Sequence, residues 1–224
     1  MISTGTGLPV PIGNKVLSYQ LINHLPMRIK SILLLTTFLF CGVLTMQAQN
    51  KKVDTTMKIG KSGYKVYSNN RYAEKNDVSV SPIGFESEAR GEFSFEIKGR
   101  LKSGEVDDLN NDGFPDLVLY VHNGDSLNKI NVVGISSEKN QSVVPIVFPD
   151  IVDDMKLKEG YNGQDEFFLM EGSLVRRFPI YTPDSTSGRL VPSGKIRQVQ
   201  YRVVPGDRGM LKFKVVRSYD YVKQ

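Results

Sequence analysis

Residues 165–181 read DEFFLMEGSLVRRFPIY. Two runs rich in aromatic and aliphatic residues, 165–170 and 173–181, are separated by Glu171-Gly172 alone. So short a connection, ending in glycine, is hairpin chemistry: a tight turn between antiparallel strands needs positive φ, which glycine adopts at no steric cost. The chain must run as adjacent antiparallel strands here.

The same pattern extends in both directions. Apolar or β-branched runs occur at 63–68, 92–98, 116–122, 130–136, 143–148, 195–204 and 210–217. Phe93, Phe95 and Ile97 alternate with polar residues, as do Leu211, Phe213 and Val215. That period places one face of each strand in a core. PGDRG (205–209) joins the last two runs, and HNGDS (122–126) turns the chain after another. The one helical candidate is DIVDDMKLKEG, 150–160. Short strands with tight turns predict a single all-β domain over 62–224, an antiparallel two-sheet sandwich of about eight to ten strands. Residues 49–61, QNKKVDTTMKIGK, are polar and read as a flexible tether.

The first part of the chain follows a different logic. From Met27, two basic residues precede an apolar run, Ile32 to Met46, and then small and polar residues. This is the layout of a secretory signal peptide over 27–48, cleaved near Ala48 or Gln49. Residues 1–26 read as an upstream leader. A retained anchor and a lipoprotein on Cys41 are the alternatives, although Phe40 is a poor residue to precede a lipidated cysteine. Export removes Lys15, Arg28 and Lys30, so 29 basic residues become 26 against 24 acidic, and the net charge falls from +5 to +2. The basic balance therefore implies neither a nucleic-acid partner nor a membrane surface beyond the signal peptide. Export also removes Cys41 and His24, leaving no thiol and a single histidine, His122.

Ahead of the 116–122 run lies DDLNNDGFPDL, 107–117. Asp108, Asn110, Asp112, Gly113 and Asp116 follow the spacing D-x-N-x-D-G-x-x-D of a calcium loop. Calcium takes six to eight oxygens at about 2.3–2.6 Å, and alternate residues of a tightly wound loop turn theirs inward. Asp108, Asn110, Asp112, the Phe114 carbonyl and Asp116 are the candidate ligands of a structural Ca2+. Leu119 stands where an EF-hand has its bidentate glutamate, so affinity would be weak, and a strand follows instead of a helix. The single copy excludes a multi-bladed propeller. The alternative is a metal-free turn whose Asx side chains cap their own backbone.

Catalytic constellations are sparse. One histidine at a strand end supports neither a Ser-His-Asp triad nor histidine-based zinc. Asp153-Asp154 and Asp165-Glu166 are adjacent pairs, and neighbours on a strand face opposite sides, which does not suit an acid–base couple. The expectation is a binding protein, not an enzyme. For Arg176 and Arg177, one is expected to meet solvent and the other to pair with an acid of GQDEF (163–167).

Three stretches carry a family resemblance: DLNNDGFPDLVLYV (108–121), GYNGQDEFFLMEGSLVRRFPIY (160–181) and RQVQYRVVPGD (197–207). Together they resemble the periplasmic inhibitors of invertebrate-type lysozyme, the PliI family, across about residues 92–220. The resemblance implies an all-β fold of two packed sheets, a periplasmic or secreted location, and a loop that plugs the cleft of a lysozyme. The corresponding loop is Asn123–Lys129, with Asn123, Gly124, Asp125, Ser126 and Lys129 as partner-binding residues. The sequence departs from the family's SGxY pattern: Ser126 matches the serine, but Leu127 and Lys129 stand in the glycine and tyrosine positions. A calcium-stabilised, non-inhibitory envelope or adhesion domain is the alternative, and a homodimer stays open.

Overall fold

Every residue from Asp116 to Val121 is buried. A strand buried on both faces must be the wall between two apolar layers. Leu117, Leu119 and Val121 point into one core, and Val118 and Tyr120 into the other. This strand is β6 (Asp116–His122), and the fold is built around it. The structure, a computed structural model, describes residues 52–86 and 91–222, all within the compact unit Asn50–Gln224. The leader and the signal peptide lie outside the described residues.

One sheet has four antiparallel strands in the order β1 (Val53–Ile59), β2 (Ser62–Ser68), β3 (Asn76–Ile83) and β4 (Phe93–Ile97). The other has eight: β5 (Arg100–Asp107), β6, β7 (Ile130–Glu138), β8 (Ser142–Val147), β12 (Leu211–Val222), β11 (Leu190–Pro205), β10 (Ser173–Pro183) and β9 (Glu166–Met170). The larger sheet curls into a nearly closed barrel. Its outermost strands are bridged by side chains: Glu105 accepts the Leu169 N–H at 3.1 Å, and Asp107 accepts the Gly172 N–H at 3.0 Å. Two carboxylates thus do at the seam what a backbone ladder does elsewhere.

Leu174, Phe178, Val199, Tyr201 and Phe213 fill the barrel interior beside Val118 and Tyr120. Tyr64, Val66, Val78 and Val80 of the smaller sheet cover the outer face of β5, β6 and β7. In the opening hairpin Ser173 pairs with Met170 across the turn, and Glu171 and Gly172 have φ of +49° and +67°. Both values match the type I′ geometry that the two-residue connection requires.

The all-β, two-sheet class agrees with the sequence reading, and four details are corrected. The described residues form twelve strands; β1, β3 and β5 are the additional ones. The expected tether contains β1, which pairs with β2 from Val53↔Ser68 to Ile59↔Ser62. Its alternation of Val53, Thr55 and Met57 is diluted by threonine and lysine, yet Val53 and Met57 pack on the core. The helical candidate forms only a 3-10 turn, Ile151–Asp153, capped by Asp150. Finally, the larger sheet has one parallel seam, where Leu211 and Lys212 of β12 pair with Ile146 and Val147 of β8.

A chain beginning at Lys61 lacks β1 and uncovers the core beneath Val53 and Met57. Relative to the chain from Asn50 it should lose about 3 kcal/mol in urea denaturation, the burial of two partly covered apolar side chains. Equal stability would restore the tether reading.

Candidate functional site

Strand alternation turns Arg176 to the same side of β10 as Leu174 and Phe178, into the barrel, where it is 4% exposed. A buried guanidinium needs a matched anion, and Asp165, 3% exposed, supplies it. The contact is bidentate: Nε donates to Oδ1 at 2.8 Å and Nη2 to Oδ2 at 3.0 Å. Tyr161 completes a triangle, donating to Asp165 Oδ2 at 2.8 Å and accepting from Arg176 Nη2 at 2.9 Å. The guanidinium carbon also lies 4.9 Å from the Tyr161 ring and 5.2 Å from the Phe167 ring. Burial works against the Arg176 charge, but the Asp165 hydrogen bonds and charge outweigh it, so its pKa is raised. Burial and then the Asp165 charge push the Tyr161 hydroxyl up. The expected pairing with an acid of 163–167 is met by Arg176. Arg177 instead bonds Gln198 at 2.6 Å and covers the Phe168 ring.

Asp165 also holds the loop between β6 and β7. Its Oδ2 accepts the Ile130 N–H at 3.2 Å. Its own N–H donates to the Asn128 carbonyl at 3.2 Å, and the Gln164 N–H to the Leu127 carbonyl at 2.6 Å. Gly163 makes that approach possible, because a Cβ there would meet the Leu127 carbonyl oxygen at 2.1 Å. Within the loop, Asp125 accepts the Lys129 N–H through its side chain and the Asn128 N–H through its carbonyl. His122 Nδ1 accepts from the Gly124 N–H at 3.0 Å, so Nε2 carries the proton and donates to Asn128 Oδ1. The resulting base is rigid, and Gly124, Asp125 and Ser126 form an exposed tip.

Beside this loop opens a cavity of about 360 Å³. Asn123, Lys129 and Asn131 form one wall, the 148–152 segment the other, and Tyr161 and Arg176 the floor. Arg197 holds the segment between the 148–152 wall and Tyr161 by donating to the carbonyls of Lys156, Leu157 and Glu159 while pairing with Asp220. Of the residues expected to bind a partner, Asp125 is structural, Ser126 is at the tip, and Asn123 and Lys129 line the cavity. Tyr161, Asp165 and Phe148 join this site only through the fold, and their mutual placement has no signal in their spacing.

The acidic loop sits at the opposite end of β6, about 20 Å away by strand rise. Asp108 accepts the N–H groups of Asp112 and Gly113, Asn110 that of Asp112, and Asp112 that of Phe114, all within 2.9–3.0 Å. Leu109 is buried in the barrel core. Asp116 is fully buried and accepts from the Leu109 N–H, the Ser136 hydroxyl and the Ser137 N–H. The oxygen donors suit calcium, and each carboxylate oxygen of Asp108 and Asp112 keeps a lone pair beyond these bonds. Among the described residues, however, no three acidic or histidine side chains converge as a metal cluster.

Comparison with protein-family models, curated proteins and solved structures gives no match.

Burial pushes the Asp116 carboxyl up to about 6, against the pull of its hydrogen bonds, and Asp112 adds to the rise. The folded state then holds a proton that the unfolded chain has lost between about pH 4 and 6. Stability falls as pH rises through that window, by about 3 kcal/mol for two pKa units. In calcium-free buffer, the stability difference between wild type and Asp116→Asn should shift by that amount from pH 4 to pH 7, favouring wild type at the acid end. A pH-independent difference would contradict a charged, desolvated Asp116.

Proposed function

We propose that the protein is a periplasmic or secreted binding protein that occludes the cleft of a wall-cleaving lysozyme with its Asn123–Lys129 loop. The observation that carries this reading is the loop's preorganisation: an exposed three-residue tip on a base fixed by His122, Asp125 and the Arg176–Asp165 pair. A rigid loop binds without the ordering cost that a flexible one incurs. Glycosidase clefts carry paired carboxylates. Lys129 supplies a cation to meet one of them, in the position where the resembled family has tyrosine, and Ser126 supplies a hydroxyl at the tip. The protein itself performs no chemistry in this reading.

A structural calcium at Asp108, Asn110, Asp112, Phe114 and Asp116 belongs to the same proposal. It would brace the start of β6, remote from the binding loop, with the weak affinity of extracellular modules, about 10⁻⁴–10⁻³ M.

The test is inhibition of invertebrate-, chicken- and goose-type lysozymes by the purified protein, with and without calcium. Inhibition of the invertebrate type is expected. Replacing Ser126 and Lys129 by alanine should abolish it while leaving Tm in place. Calcium at about 10 mM should raise Tm by a few degrees and leave inhibition unchanged. Silence across the panel from a folded protein would overturn the proposal and leave an envelope domain with another partner.

A further inference from the structure

Arg176 reaches the cavity floor with a donor to spare. A guanidinium carries five N–H groups. Asp165 takes two of them, from Nε and Nη2, and the Tyr161 hydroxyl takes the second Nη2 hydrogen. Burial raises the Tyr201 pKa while the neighbouring Arg176 guanidinium works the other way, and this hydroxyl can take at most a fourth. One Nη1 hydrogen is left over. The Tyr120 hydroxyl and Asn123 Oδ1 are the only fully enclosed side-chain polar atoms without a partner among the described residues. Nη1 is therefore not sealed in. Arg176 is 4% exposed and lines the cavity, so that is where Nη1 meets open space. A charged donor that is enclosed, unpaired and reachable is one half of a charge-assisted hydrogen bond.

We propose that this cavity binds a carboxylate carried on a small apolar body, with one carboxylate oxygen accepting from Arg176 Nη1. The two ends of such a ligand match the two kinds of wall. Val132, Phe148 and Ile151 line the cavity and meet the apolar body, and the guanidinium on the floor meets the charge. Asp165 keeps the Nε–Nη2 edge, so the ligand uses a donor that the ion pair leaves over and the floor does not rearrange. Charge sets the limit. Lys129 on the lining makes no ion pair among the described residues and adds positive potential. Asp165 beneath and the exposed Asp150 on the lining are negative. Such surroundings accept one further negative charge more readily than two, which favours a carboxylate over a phosphate dianion. The volume lies at the lower end of ligand pockets and suits a body of a few carbon atoms. Free short-chain acids and peptide C-termini both present this group, and the site is defined by the carboxylate they share. The proposal stands apart from lysozyme inhibition: it concerns the floor of the recess rather than the exposed tip of the loop.

The experiment is a titration of the 15N-labelled protein with isovalerate and with N-acetylvaline, the second standing for a peptide C-terminus. Isovaleramide and inorganic phosphate are the controls. One or both acids should shift the Arg176 Nε resonance and the Val132 amide, with a dissociation constant of about 1 mM or tighter. A response to isovalerate alone identifies a free acid as the source, and to N-acetylvaline alone a peptide end. A response to both identifies the carboxylate as sufficient. Val132→Phe, which fills the recess, should weaken binding by about tenfold or more through steric exclusion. Its Tm, read in parallel, shows that the fold is retained. The Arg176 resonance reports the contact in the unaltered protein, so the test stands even where that variant fails to fold. An equal response to isovaleramide or to phosphate, binding indifferent to Val132→Phe in a folded variant, or no shift with either acid would each overturn the proposal; the last would mean the cavity holds water only. None of these outcomes depends on whether a lysozyme is inhibited.

Discussion

A guanidinium placed on the inward face of a barrel strand must find an anion inside the barrel, and this requirement organises one end of the molecule. Arg176 shares its face of β10 with Leu174 and Phe178, so the alternation that builds the core also forces a charge into it. Asp165, immediately before β9, answers with a two-pronged contact and then uses its remaining capacity on Tyr161 and on the Ile130 N–H. Buried pairs of this kind add little net stability over an apolar pair, yet removing one partner is costly because the other charge is stranded. The value of the pair here is positional. It ties the segment ahead of β9 to the loop ahead of β7 and sets the floor of the cavity beside them.

β6 connects that end to the other. Its two buried faces divide the interior into a barrel core and an inter-sheet core, and its two ends carry the two polar loops. At the start, Asp116 sits buried beneath the acidic loop and accepts three hydrogen bonds, and Leu109 plugs the barrel. At the finish, His122 fixes the turn that follows. In the proposed function the first loop holds the strand and the second meets a partner, and the length of the strand keeps the two ends about 20 Å apart.

Much of this was legible in the chain. Glu171-Gly172 announced its hairpin, the alternation in β4 and β12 announced strands, and the pairing of one arginine with an acid of 163–167 followed from hairpin geometry. The turn after β6 was readable from HNGDS, 122–126, whereas the binding role of Asn123–Lys129 rests on the family resemblance alone. The misses have physical causes. β1 and β3 bury Val53, Met57, Val78 and Val80 between serines, threonines and a proline, so their apolar signal is thin. β5 has few apolar residues and a register shift after Leu101. Barrel closure rests on the carboxylates of Glu105 and Asp107 reaching across space, and the cavity gathers residues from four separate stretches. Such tertiary coincidences leave no period in a sequence.

The most direct test of the organising role given to Arg176 and Asp165 is amide hydrogen exchange in wild type and in Arg176→Met, referenced to the barrel-core amides of Val118 and Val199. If the pair positions the binding loop, protection at Ile130 and Asp165 should fall by about a hundredfold more than in the core, the loss of a local opening energy of two to three kcal/mol. Protection at those two amides that falls only in step with the core would mean that the loop is held by its own turn chemistry, and that the buried ion pair is a bystander to the site.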